Sequence, residues 1–173
     1  MKAASTRASS AAGLRIGILG AEFNEAVVSG LLEGAKEALL AMGGRPSDLV
    51  EVMVPGAFEL PLAAKALALS GKVDAVVALG AVIRGETDHY EHIARAAAAG
   101  LERVARETGV PMGFGVLTVS DEKQALARSR KGPANKGAEA ARAAVAMVHV
   151  LRSLKGGSGR SGRGTAGRKG RGR

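Results

Sequence analysis

The chain has 173 residues, a formal net charge of +9 and no cysteine. That length suits one domain with a real core and is short for two of ordinary size, while the missing cysteines exclude disulfides, thiolate metal sites and a cysteine nucleophile and make the cytoplasm the expected compartment. The charge is uneven: the last eighteen residues, "GGSGRSGRGTAGRKGRGR", hold six Lys or Arg and no acid, which leaves +3 on residues 1–155.

Residues 1–13, "MKAASTRASSAAG", lack the apolar centre of a signal peptide. They read as a flexible arm; a strand lent to a neighbour is the alternative, and serine, alanine and arginine support it poorly. Four short apolar runs follow, "LRIGIL" (14–19), "LVEVMV" (49–54), "VDAVVALGA" (73–81) and "MGFGVLTV" (112–119), and each is expected to be a buried strand. Between them Val27, Leu31, Ala35 and Leu39 keep helical spacing, as do Leu60, Ala64 and Leu67, and then Ile93, Ala97, Leu101 and Val104. A short helix near Glu122–Ala127 and a longer one over Asn135–Leu154 complete the pattern, and "MGGRPSD" and "TGVP" mark breaks. Such alternation predicts an α/β fold of three layers, α/β/α, on a four-stranded parallel sheet. The domain is expected over 14–154. Residues 155–173 cannot bury enough apolar surface to offset the entropy of ordering, and read as a disordered basic tail. No run is long enough to span a bilayer, so no membrane partner is expected.

Ligands of open parallel sheets bind beyond the carboxyl ends of the strands, and all four aromatics, Phe23, Phe58, Tyr90 and Phe114, are expected close to those ends. Scarce rings gathered there suit the stacking of a flat ligand, though core filling is the ordinary role of any one phenylalanine. "LGAVIRGETDHYEHI" (79–93) compresses arginine, glutamate, threonine, aspartate and histidine into the turn before a helix. Asp88 with Glu91 fits a capping box, which explains the turn structurally; the amides of Gly85, Glu86 and Thr87 fit a phosphate equally well. The acids nearby would then require cations, and Arg84, Arg128, Lys131 and Lys136 are candidates. His89 suits proton transfer, because an unperturbed imidazole changes charge near neutral pH. His92 lacks supporting ligands for a metal, and His149 reads as packing.

Taken in order, "AEFNEAVVSGLLEGA", "VPGAFELPLAAKAL", "LGAVIRGETDHYEHI", "GVPMGFGVLTVSDEKQALAR" and "NKGAEAARAA" make the chain resemble the lumazine synthase family over about residues 14–154. The resemblance implies a flavodoxin-like, oligomeric fold and the condensation of 5-amino-6-(D-ribitylamino)uracil with 3,4-dihydroxy-2-butanone 4-phosphate to 6,7-dimethyl-8-ribityllumazine, phosphate and water, with no cofactor and no metal. It implies that Phe23 stacks on the pyrimidine, that Ala57, Phe58 and Glu59 line the ribityl site, and that Ala81, Val82 and Ile83 read the ring edge through backbone groups. Gly85, Glu86 and Thr87 match the phosphate loop, His89 the proton-transfer residue, and Phe114 and Arg128 residues supplied by the adjacent subunit. Lys136 is a further cation for phosphate. "ARSRKGPANKG" departs from the family's usual loop, so Lys131 is not carried over and the choice between pentamers and sixty-subunit shells stays open. A pentamer is the minimum expected, with the small-residue face "ARAAAAG" packing around a five-fold axis or inside one subunit. Association with riboflavin synthase belongs to the same implication. Two rivals stand beside it: a non-catalytic phosphate- or flavin-binding module, and a nucleic-acid binder. The domain carries no nucleic-acid motif, so the tail would supply only a weak, salt-sensitive affinity for nucleic acid.

Overall fold

A computed structural model of the chain describes residues 9–156. Expectations for residues 1–8 and 157–173 concern residues outside that range; of the expected flexible arm, residues 9–13 are described, and there Ala11 is buried in the core and its N donates to Met42 O at 2.9 Å. The described chain runs β1 (Ile16–Ala21), α1 (Glu25–Ala41), β2 (Leu49–Val54), α2 (Leu60–Leu69), β3 (Ala75–Ile83), α3 (His89–Thr108), β4 (Met112–Val119), α4 (Glu122–Ser129) and α5 (Lys136–Gly156), with single 3-10 turns at Pro46–Asp48 and Ala57–Glu59.

The strands form one sheet in the order β2-β1-β3-β4, and every pairing is parallel. Ile16, Ile18, Val77 and Leu79 point to one face, where α1, α4 and α5 cover them; Leu19, Val76, Ala78 and Val116 point to the other, beneath α2 and α3. Residues 75–82 of β3 are all buried, as an interior strand covered on both faces requires. The expected three layers are therefore present.

The apolar runs at 14–19 and 73–81 begin before their strands do, because Asp74 N donates to Arg15 O at 2.7 Å and Arg15 N donates to the Asp74 carboxylate at 2.8 Å. These bonds close the two chains together below the ladder, and β3 then runs on to Ile83. Strand β2 departs from the expected burial. Val50, Val52 and Met53 are exposed, because β2 is an edge strand with β1 as its sole neighbour.

Close helix approach depends on missing side chains, as two crossings show. A Cβ on Gly137 would run into the Leu31 carbonyl where α5 crosses α1, and one on Gly100 would lie 2.7 Å from Pro61 where α3 meets α2. The small-residue face of α3 is thus used within the subunit at Ala97 and Gly100, while Ala98 and Ala99 stay exposed.

Candidate active site

The carboxyl ends of β1, β2 and β3 open on a cleft of about 420 Å³. From β1 come Phe23 and Asn24; after β2 the 3-10 turn brings Ala57, Phe58 and Glu59; β3 contributes Ala81, Val82 and Ile83; the following loop and the start of α3 add Gly85, Thr87, His89 and Tyr90. The first two loops are tied together, since Glu22 N donates to Val54 O at 2.8 Å and Phe23 N to Pro55 O at 3.2 Å. That tie holds Phe23 and Phe58 out of the core, 71% and 59% exposed, on walls of the same cleft. Two exposed rings over an apolar floor can sandwich a flat, polar-edged molecule.

Between β3 and the cleft the backbone offers directed hydrogen-bonding groups. Main-chain groups of successive strand residues point alternately to the two neighbouring strands. Arg84 N donates to Val119 O at 2.9 Å, toward β4, while Ala81 O faces the β1 side, where it accepts from Asn24 Nδ2 at 2.8 Å. Ile83 has the same parity as Ala81. The β1–β3 ladder ends at Gly20 and Leu79, so the main chain of Ile83 faces the open cleft instead of a strand.

The loop before α3 lacks the expected capping box. Asp88 has φ −74 and ψ 4, near helical values, and its side chain makes no capping bond; a capping residue ordinarily has extended backbone that lets its oxygen reach back over the first turn. Glu91 turns to Arg95 Nη2 at 3.0 Å and accepts from Tyr90 Oη at 3.3 Å. The leading amides of α3 have no side-chain cap, and Gly85, Glu86 and Thr87 beside them are exposed, which is the arrangement an anion requires. Glu86 lies on this loop without lining the cleft, whereas His89 lines it and is exposed.

Phe114, Arg128 and Lys136 are elsewhere. They line a second groove, again about 420 Å³, between β4 and the helices α4 and α5. Phe114, the third residue of β4, sits toward the amino end of that strand and not at its carboxyl end; a uniformly apolar run does not reveal how far along it a ring falls. Its ring is 48% exposed, on the sheet edge opposite β2. Arg128 donates to Gln124 O at 3.0 Å and Lys136 pairs with Glu139 at 2.6 Å. Lys131 instead bonds Glu37 of α1 at 2.8 Å, and that hydrogen bond holds its ammonium above the ordinary lysine range. Arg84 lies 5.9 Å from the Tyr90 ring centre.

Sequence reading missed Asn24, Gly56 and Ile93 as lining residues. Asn24 carried a signal, since asparagine tolerates the left-handed conformation and stands before the helix. His149 is partly exposed, and its Nε2 lies 2.6 Å from Ser10 O. Among the described residues no group of three or more His, Asp or Glu is arranged to hold a metal.

A family model for 6,7-dimethyl-8-ribityllumazine synthase matches residues 13–152. The chain belongs to the lumazine synthase family. Members of the lumazine synthase family are transferase-type enzymes of riboflavin biosynthesis and form oligomers. The lumazine synthase match spans every strand and both clefts. No helix among the described residues is long and apolar enough to cross a membrane.

Proposed function

We propose that the protein condenses 5-amino-6-(D-ribitylamino)uracil with 3,4-dihydroxy-2-butanone 4-phosphate, giving 6,7-dimethyl-8-ribityllumazine, phosphate and water, at sites shared between adjacent subunits. The observation that carries this reading is the division of the candidate residues. Rings, backbone edge and anion loop line one cleft, while Arg128, Lys136 and Phe114 line a separate groove along β4. A phosphate on the Gly85–Thr87 loop has backbone donors but no cation of its own chain lining the cleft. Arg128 of a neighbouring copy would supply that charge, and Phe114 a further wall.

The pyrimidine lies against Phe23, its edge on the main chain of Ala81–Ile83, and the ribityl chain runs past Ala57 and Phe58 toward Glu59, which accepts from its hydroxyls. The 5-amino group attacks the ketone carbonyl and loss of water gives an imine; phosphate is eliminated to leave an enol that becomes a carbonyl, and the ribitylamino nitrogen adds to that carbonyl and expels a second water to close the new ring. Each step moves a proton, and the proposed carrier is His89, which lines the cleft with Gly85 and Thr87. Holding two substrates together accounts for most of the acceleration. Lys136 adds positive potential beside Arg128.

The test is direct: both substrates are supplied to the purified protein, and lumazine absorbance and phosphate release are followed. Product from the pair, and none from either alone, is expected; tight binding without product would overturn the reading.

A further inference from the structure

Asn24 is the one non-glycine among the described residues with a positive φ, at φ 62 and ψ 45. It directly precedes α1, yet its side chain does not cap that helix; the Asn24 carbonyl accepts from Val27 N at 3.0 Å and Val28 N at 3.1 Å, and the carboxamide turns the other way. There Nδ2 donates to Ala81 O at 2.8 Å, across the gap left where the β1–β3 ladder stops at Gly20 and Leu79. A left-handed asparagine is an uncommon, locally strained choice, and such positions persist where surrounding structure holds them.

We infer that Asn24 is a positioning residue that sets the donor and acceptor pattern read by the bound ring. Its amide takes one of the two acceptor positions of the Ala81 carbonyl, so this oxygen offers less to the cleft and the ring edge registers chiefly on Ile83. The same turn fixes where the chain leaves β1, and so holds the neighbouring Phe23 ring over that edge. The Asn24 bond thus joins the stacking wall to the edge-reading wall, which come from strands that no longer pair at this height.

The inference rests on the pyrimidine site proposed above, and three variants separate it from that reading. Asn24→Gly keeps the left-handed turn, which glycine adopts freely, and deletes the donor. Asn24→Asp keeps size and turn tolerance but sets a carboxylate against the Ala81 carbonyl. Asn24→Gln keeps the amide on a longer stem that misplaces it.

Binding of 5-amino-6-(D-ribitylamino)uracil is measured by calorimetry, alongside KM for each substrate, kcat and the melting temperature. Asn24→Gly is expected to weaken amine binding and raise its KM by about fivefold to tenfold, the worth of one hydrogen bond, with the KM of the phosphate substrate unmoved. Asn24→Asp is expected to lose more than Asn24→Gly, and Asn24→Gln to fall no closer to wild type than Asn24→Gly. Wild-type amine affinity in Asn24→Gly, recovery in Asn24→Asp, or an equal rise in both KM values with a lowered melting temperature would each overturn the inference. If the unaltered protein binds the amine but forms no lumazine, the proposed reaction fails while the comparison of variants still stands. If it does not bind the amine, both fail.

Discussion

Asn135 donates Nδ2 to the Gly30 carbonyl at 2.9 Å, joining the start of α5 to the middle of α1 across 105 positions of sequence. The same amide reaches Ser129 O at 2.6 Å, and the side-chain oxygen caps α5 by accepting from Ala138 N at 3.0 Å. With 1% exposure, Asn135 is a buried polar hub that fastens the α4–α5 loop to the neighbouring helix. Arg128 and Lys136 flank this hub. Asn135→Ala removes a helix cap and strands buried carbonyls, so a loss of about 2–4 kcal/mol is expected. Chemical denaturation measures it; an unchanged midpoint would mean that water replaces the side chain at no cost.

His89→Ala is expected to slow lumazine formation by about 10²-fold, the low end for a proton-transfer group. Activity should remain measurable because the clefts that hold the substrates are untouched. Rates compared across pH check this: a variant matching the unaltered protein at every pH would remove His89 from the chemistry.

A shared site predicts complementation. His89→Ala and Arg128→Ala, each nearly inactive alone, should regain turnover when co-expressed, because random mixing at equal levels leaves about one interface in four with both residues intact. Turnover per subunit is compared with the mean of the separately made variants after mass measurement confirms mixing. Equality with that mean would place Arg128 outside the neighbour's site.

Glu107 of α3 bonds Lys65 of α2 at 3.0 Å, and chiefly that hydrogen bond holds its carboxyl below the ordinary glutamate range. A depressed folded-state value means stabilisation that is present above the unfolded carboxyl range and lost as pH falls through the folded one. Glu107→Gln should therefore lower the melting temperature slightly at neutral pH and leave it unchanged in acid. The pair is solvent-exposed, so the neutral-pH difference should shrink in high salt. Melting curves at two pH values and two salt concentrations suffice.

Gly137→Ala places a methyl group against the Leu31 carbonyl, in a contact that only a shift of α5 relieves. Destabilisation of about 1–3 kcal/mol is expected, and since Lys136 is adjacent, the KM of the phosphate substrate should rise with it. A neutral effect on both would show that the helices separate freely.

Hydrophobic runs and their breakers suffice to read the layers and the cleft at the strand ends, because buried parallel strands are apolar throughout and their carboxyl ends are where loops gather. Strand order is another matter: "LVEVMV" looks as buried as "AVVALGA", and only the topology makes β2 an edge. Asp88 and Glu91 have the spacing of a capping box, but the box fails on a backbone angle that spacing does not encode. The roles of Asn24 and Asn135 escape sequence reading for a shared reason, since their partners lie far along the chain and asparagine signals a turn before it signals a clamp.

The uncovered edge of β2 bears on how the molecule persists when dilute. Val50, Val52 and Met53 lie along a row of unpaired peptide groups, a template for any extended chain that meets it. Subunits that cover this row with one another protect it from misdirected pairing, and mass action then links that protection to abundance. If neighbouring copies cover the row in this way, thermal tolerance should climb as the protein is concentrated.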